Sequence, residues 1–447
     1  MKYSHLFCLL LSLTTVSFAA DVKDGVIKSF YKDGHIKSEI AYQNNLKEGK
    51  EILYFESGSI KSLIHYKQNV KEGLEQLYYA NGNLASEREF HQGKKNGFEK
   101  IYDYKTASLK YIRHYLNSVQ EGTESVYDNG VLLYEYTYNN GKKNGLAKEF
   151  YPDHTLKSTI PFKENIVHGI QTTFYPTGEK LSEISFDNGV INKNITEYYK
   201  SGNKKLESPI KNGHIEGLQI EYFETGHVKR HSNVVESKKE GISTEFFENG
   251  KIKATAHYAQ DILEGSSKFY DAAENLIEEK IYKNNILISQ VPYEGKLKHG
   301  QFREFFPDGK IKIEGTYEAG KREGIFKEFS QGGRIRIETT YQGGKKNGYE
   351  KHYWFTGELN REIPYKDNIK SGIEKEYRKN GTLRWEITYV NNIREGISKE
   401  YYEDGAIRRE TPYKDGKIDG IDTVYFNSGK ILYKETFING ISDGKRI

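Results

Sequence analysis

The chain has 447 residues, with 67 Lys and Arg against 63 Asp and Glu and a net charge of +4. A balance this even, without a clustered basic excess, does not describe a nucleic-acid-binding surface. Apolar residues reach only 36 % and aromatics 13 %, mostly Tyr, which argues against a large globular core and suits a thin sheet whose side chains have an apolar body and a wet tip.

In chain order, residues 1–20 (MKYSHLFCLLLSLTTVSFAA) join Lys2 to an apolar run from Leu6 to Leu13, broken only by Ser12, and to small residues at Ser17 and Ala19. This reads as a secretory signal cut after Ala19 or Ala20, its apolar run too short to span a bilayer. Export to the periplasm, the cell surface or the medium is the expectation. Cys8 is the only cysteine, and Phe7 before it does not suit lipid attachment. The mature chain is then expected to rely on packing and ladder hydrogen bonds, with no disulfide.

From Gly25 a 24-residue unit recurs, opening at Gly25, Gly49, Gly73, Gly97, Gly122, Gly145, Gly169, Lys193, Gly217, Gly241, Gly265, Gly300, Gly324, Gly348, Gly372, Gly396 and Gly420, with a partial unit at Gly444. Periodicity in this range marks stacked repeats that cannot stand singly. Numbered from the opening glycine, position 6 is aromatic in all seventeen units, position 7 usually so, and position 10 usually Gly after Asn or Asp. Position 12 is aliphatic, 15 often Glu, 18 Tyr or Phe, and 21 Gly or Asn, before a basic-acidic stretch that closes the unit. Asn-Gly and Asp-Gly at positions 9 and 10 signal a β-hairpin, since such turns need positive φ, and position 21 signals a second turn. The fold class is all-β, about seventeen tandem hairpin repeats.

The position-6 rings are expected on a packed face, touching their counterparts in adjacent units. Position 7 points the other way, and Asp103, Asp128, Asp271, Ser330 and Arg378 in that slot suggest a solvated face. Positions 12 and 18 share parity and are expected to share a face. Pro161, Pro209, Pro364 and Pro412 all fall at position 17, where the amide is expected to be unpaired. The spacing is irregular around Gly97 and Gly122, and again between Gly265 and Gly300, where it is 35. The organisation is therefore a signal over 1–20, repeats over 21–287, a partial repeat over 288–299 and repeats over 300–447. The partial repeat is where a specialised patch would sit, as a local bend or an extra strand.

The pattern G-x4-Y-[YF]-x-[ND]-G-x-[LI]-x2-E-x2-Y-x2-G-K-x2-G, clearest over Gly396–Gly420 and Gly300–Gly324, resembles the MORN-repeat variant of bacterial proteins, some of them called antitoxin-like. The resemblance covers Gly25 to Ile447. It implies an elongated, single-layer antiparallel β-meander or solenoid, and a scaffold or binding role with lipid, protein or cell-surface contacts. It brings no catalytic residues. The export signal departs from a cytoplasmic antitoxin. If each unit adds two strands, seventeen units extend roughly 160 Å.

No chemistry is singled out: no catalytic, cofactor-binding or metal-binding residue is assigned, and no cofactor is expected. Gly315 to Lys321 imitates the start of a phosphate loop, but Arg322 stands where Ser or Thr should be, on a strand and turn. His227 and His231 have no cysteine nearby. The repeats run from near the expected mature start to the last residue, so function is expected on their surface. The leading reading is a non-catalytic exported scaffold that binds a protein or cell-envelope partner, with end-to-end self-association through exposed strands as a further possibility. The alternatives are a glycan or cell-wall module, for which only Trp354 and Trp385 offer tryptophan platforms, and membrane-surface binding through the Lys-Lys-Asn-Gly turns at Lys94, Lys142 and Lys345. An antitoxin-like role by resemblance and an enzyme complete the set.

Overall fold

The computed structural model describes residues 23–446, so the secretory signal read at 1–20 lies outside the described residues. The chain falls into two compact units, Met1–Gly202 and Asn203–Ile447. Every regular element described in either unit is a β-strand. Each unit is one antiparallel layer in which each strand pairs with those next to it in sequence. In the first, Leu46–Tyr54 lies between Ile36–Gln43 and Ile60–Lys67. In the second, Leu383–Val390 lies between Gly372–Tyr377 and the two segments Ile393–Arg394 and Gly396–Tyr401. The expected hairpin-and-turn unit is thus the actual one.

The two turns differ, and sequence explains each. In the turn after position 6, only position 10 takes positive φ: Gly405 sits at 90°, Tyr402 N–H donates to Ala406 O at 2.8 Å, and the Asp404 carboxylate accepts from Ala406 N–H at 3.1 Å. Asn or Asp at position 9 therefore serves as a side-chain acceptor, while glycine at 10 supplies the left-handed residue of a three-residue loop. In the second turn both central residues take positive φ, as at Asn391 (53°) and Asn392 (68°), which is why Asn, Asp and Gly crowd positions 20 and 21.

A β-bulge in each regular hairpin corrects the face assignment. Glu400 pairs with Arg409 and Tyr401 with Ile407, so Arg408, at position 13, is an extra residue on its strand. One added residue reverses parity. Position 12 therefore shares its face with position 6, while position 18 lies on the opposite face, against the expectation that 12 and 18 lie together. Positions 2, 4, 6, 12, 15 and 17 form one face, here the first; positions 3, 5, 7, 14, 16, 18 and 23 form the second.

The irregularity between Gly265 and Gly300 is half a repeat. Ile286–Glu294 pairs with Leu276–Lys283 on one side and with Gly300–Phe305 on the other. Ser289 to Glu294 thus stand in for positions 14–19, and positions 1–13 are absent. A single strand has replaced two, so later repeats run in the opposite direction across the sheet and their faces exchange. Val291, at position 16 by the later count, is paired with Glu279, at position 15 of the earlier repeat, and Tyr293 Oη donates to the Glu279 carboxylate at 3.1 Å. The other irregularity is milder. The Asp103 carboxylate accepts from the Lys105 and Thr106 amides in a lengthened loop, and Asn129-Gly130 then forms a two-residue turn.

Candidate functional site

A single-layer repeat sheet buries few side chains, and many of its polar groups are bonded within the fold. On the first face, the position-6 tyrosine donates its hydroxyl to the position-15 glutamate of the preceding repeat: Tyr102 to Glu87 at 3.0 Å, Tyr198 to Glu183 at 2.6 Å, Tyr377 to Glu362 at 3.0 Å, Tyr401 to Glu386 at 2.6 Å and Tyr425 to Glu410 at 2.9 Å. The rings of Tyr377, Tyr401 and Tyr425 are half-buried. What ties them to the neighbouring repeat is this hydroxyl–carboxylate bond and not ring-to-ring contact. Burial first, and then the facing carboxylate, push the phenols of Tyr102, Tyr222 and Tyr377 up to about 12.

Position 7 departs from the expected solvated role. Its tyrosine hydroxyl donates to the position-6 carbonyl of the next repeat, as from Tyr31 to Tyr54 at 2.6 Å, Tyr151 to Phe174 at 2.8 Å and Tyr402 to Tyr425 at 2.7 Å. Arg378 fills the same slot and donates to Tyr401 O at 2.5 Å. Arg378 is therefore a substitute donor, whereas Asp103 and Asp271 in the same column accept from amides of their own loops.

The closing acid of each unit also has a task. Glu72 accepts from Gln92 N–H at 2.7 Å, Glu240 from Gln260 N–H at 2.9 Å and Glu395 from Asp415 N–H at 2.9 Å, each reaching the second turn of the following repeat. Beside it, Asn392 N–H donates to Lys370 O at 2.9 Å while its Oδ1 accepts from Lys370 N–H at 2.7 Å. Each turn is thus held by the preceding repeat.

The second face carries buried acids at position 3, several of them met by the cation four residues earlier: Lys47 with Glu51, Lys95 with Glu99, Lys346 with Glu350 and Lys370 with Glu374. Hydrogen bonding from His352, opposed by burial and reinforced by Lys346, holds the Glu350 carboxyl down at about 2. Two repeats replace the acid with Phe302 and Phe326, whose rings pack edge-on against Tyr317 and the latter also against Tyr341. Phe326 lies over Gly315, where a Cβ would come within 2.5 Å of the ring.

The sequence-selected motifs fall apart on this scaffold. Gly315 to Lys321 is a strand running into a two-residue turn, with Gly315 serving the Phe326 ring. His227 closes a hairpin loop through its carbonyl, and the His231 ring lies 5.2 Å from that of Phe246. Among the described residues, no group of three or more His, Cys, Asp or Glu is placed to hold a metal ion. Lys142 and Lys345 face Glu164 and Asp367 of the next repeat. Trp354 occupies the position-7 slot with Lys379 over its ring, and Trp385 stands at position 14 of the next repeat.

One row that the internal bonds leave uncovered is apolar. At position 2, on the first face, Ile325, Tyr349, Ile373, Ile397 and Ile421 recur every 24 residues and are each about half exposed, from 46 % to 53 %. Their cross-strand partners are Thr340, Pro364, Thr388, Pro412 and Thr436. The prolines at position 17 thus lie beside the exposed position-2 residue, Pro364 beside Tyr349 and Pro412 beside Ile397. Sequence reasoning found the prolines and passed over the row. Its signal was the column of Ile and Leu directly after the opening glycine.

An antiparallel sheet whose hairpins are each completed by the repeats on either side defines an open β-repeat protein. The family model of the MORN repeat variant matches nine segments, residues 23–44, 47–68, 71–92, 120–140, 167–188, 239–260, 298–319, 346–367 and 394–415. The chain is a MORN-variant repeat protein, and unmatched units such as those opening at Gly324, Gly372 and Gly420 keep the same pairing. No curated protein matches it. Among solved structures, TcdB2-TccC3-TEV is similar at 12 % identity and a TM-score of 0.15, over 93 % of this chain and 25 % of that one. A Photorhabdus luminescens Tc holotoxin pore is similar at 12 % identity and a TM-score of 0.15, over 92 % and 26 %. The chain spans about a quarter of the length of these solved chains.

Proposed function

We propose that this chain is an exported, non-catalytic scaffold that binds a protein partner of the cell envelope along the first face of the repeats from Gly324 onward. The observation that carries this reading is the position-2 row. Around it, tyrosine hydroxyls bond glutamates of the preceding repeat, and Lys351, Lys375 and Lys399 pair with Glu362, Glu386 and Glu410 within their own hairpins, whereas Ile325, Tyr349, Ile373, Ile397 and Ile421 stay half exposed. Aligned apolar side chains that the fold itself leaves uncovered mark an interaction surface, and a β surface repeating about every 10 Å suits an extended partner. The secretory pattern of residues 1–20 supports export, which places the partner outside the cytoplasm.

The test is a crosslinking pull-down from the native envelope, comparing the wild-type chain with one in which Ile373, Ile397 and Ile421 are all changed to Ser. The reading expects one dominant partner with the wild type and at least about tenfold less with the triple variant. Equal recovery would refute the assigned face. Retention of the full-length chain in the cytoplasm would refute export.

A further inference from the structure

On the opposite face, one repeat lacks the ion pair that its neighbours carry. In the repeat opening at Gly372, the position-3 Glu374 is only 3 % exposed, bonded by Lys370 from its own strand and by Arg361 from position 14 of the repeat before. In the repeat opening at Gly420, Asp422 is 1 % exposed and clasped by Arg409, again from position 14, with Thr411 Oγ1 donating at 2.6 Å. Between them, the repeat opening at Gly396 has Ser398 at position 3 and faces Trp385 at position 14. The cation four residues before it is kept, as Arg394. It donates to Tyr413 Oη at 3.3 Å and makes no ion pair among the described residues. The place of the missing carboxylate is a groove of about 450 Å³, with Ser398 buried in it and Arg394, Trp385, Ile387, Thr411 and Tyr413 around it.

The charges of the groove are otherwise spent. Arg361 is paired with Glu374, Arg409 with Asp422, and Glu376 with Arg384. Arg394 alone has no carboxylate partner among the described residues, its guanidinium donating to the tyrosine hydroxyls of Tyr389 and Tyr413. A guanidinium beside hydroxyl groups recognises a carboxylate through charge-assisted hydrogen bonds, and an indole with two aliphatic neighbours offers a flat apolar wall. We propose that this groove binds a carboxylate carried on an apolar body, the ligand's carboxylate taking the place that Glu374 and Asp422 fill in the adjoining repeats. A free organic acid and an acidic side chain within an apolar peptide share this chemistry. The proposal is independent of the partner face, since the groove and the position-2 row lie on opposite sides of the sheet.

The experiment uses the full chain carrying Trp354→Phe, so that Trp385 is its only tryptophan and reports by fluorescence. One arm titrates 3-phenylpropionate, with its neutral amide as control. The other titrates a Leu-Glu-Leu peptide with blocked ends, with Leu-Gln-Leu as control. Saturable binding is expected for at least one carboxylate, weakened about tenfold or more by removal of the charge in the ligand or by Arg394→Gln. Ser398→Glu, which installs the carboxylate of the regular repeats, is expected to abolish binding while leaving the chain folded. Binding of the acid identifies a free carboxylate as sufficient; binding of the peptide alone identifies a polypeptide source. Failure of both carboxylates to bind would overturn the proposal, as would equal binding by their neutral controls or undiminished binding to Ser398→Glu. Should Ser398→Glu fail to fold, Arg394→Gln decides alone, and unchanged affinity there overturns the proposal.

Discussion

Single side chains in this protein act mostly across repeats, and their protonation should show it. The Tyr102 and Tyr377 phenols titrate at about 12 in the fold against an ordinary 10.0. Below the ordinary value both folded and unfolded chains hold neutral phenols, and the contribution is whole. As pH rises toward the folded value the unfolded chain ionises first, so stability falls. Glu350, at about 2 against 4.5, has the opposite sign: its contribution is present above the ordinary value and is lost as pH falls toward the folded one. Thermal unfolding should therefore show a plateau between about pH 5 and 10, with a decline on either side. Changing Tyr102 and Tyr377 to Phe should flatten the alkaline limb and cost about 0.5–1.5 kcal/mol each at neutral pH; an unaltered limb would show that these hydroxyls are not responsible. Gly315→Ala should cost about 1–3 kcal/mol, because a methyl group there meets the Phe326 ring. Adding Phe326→Leu should recover part of that loss in a double-mutant cycle, and strict additivity would place the strain elsewhere. Sequence alone made the recurrence of Tyr at 6 and Glu at 15 visible but not their bond, which joins residues of different repeats. Position 7 was misread because Arg378 looks like solvated charge when it is a donor to the Tyr401 carbonyl.

At the scale of strands and turns, the period was legible and the parity was not. Glycine at 10 and paired Asn, Asp or Gly at 20 and 21 disclose two turns, since positive φ restricts the residues that can serve. The bulge at position 13 leaves no comparable mark, because an extra residue in a strand demands no special backbone sign, and counting by twos then assigns position 18 to the wrong face. The extra segment between Gly265 and Gly300 was visible as an anomaly of spacing, and its meaning came from pairing: Ser289 faces Glu304 as a position-14 residue faces position 5. Removal of residues 289–299 would join Ile288, at position 24, directly to Gly300, at position 1. The shortened chain should keep its strand signal in circular dichroism and a single unfolding transition. An unfolded or aggregated product would mean that the strand is not a dispensable half repeat.

Across the molecule, each repeat depends on its neighbours. Closing acids cap turns about one repeat away, position-6 hydroxyls reach back, position-7 hydroxyls reach forward, and little in a lone hairpin would hold it closed. Stability should then be close to a sum of repeat and interface contributions, as in other one-dimensional repeat arrays. The most direct test is urea unfolding of chains ending at residues 419, 395 and 371, one repeat shorter each time. The account expects strand signal to fall in proportion to length and the unfolding midpoint to decline in small, similar steps. Collapse of the entire strand signal on loss of one repeat would contradict it, as would a midpoint indifferent to repeat number.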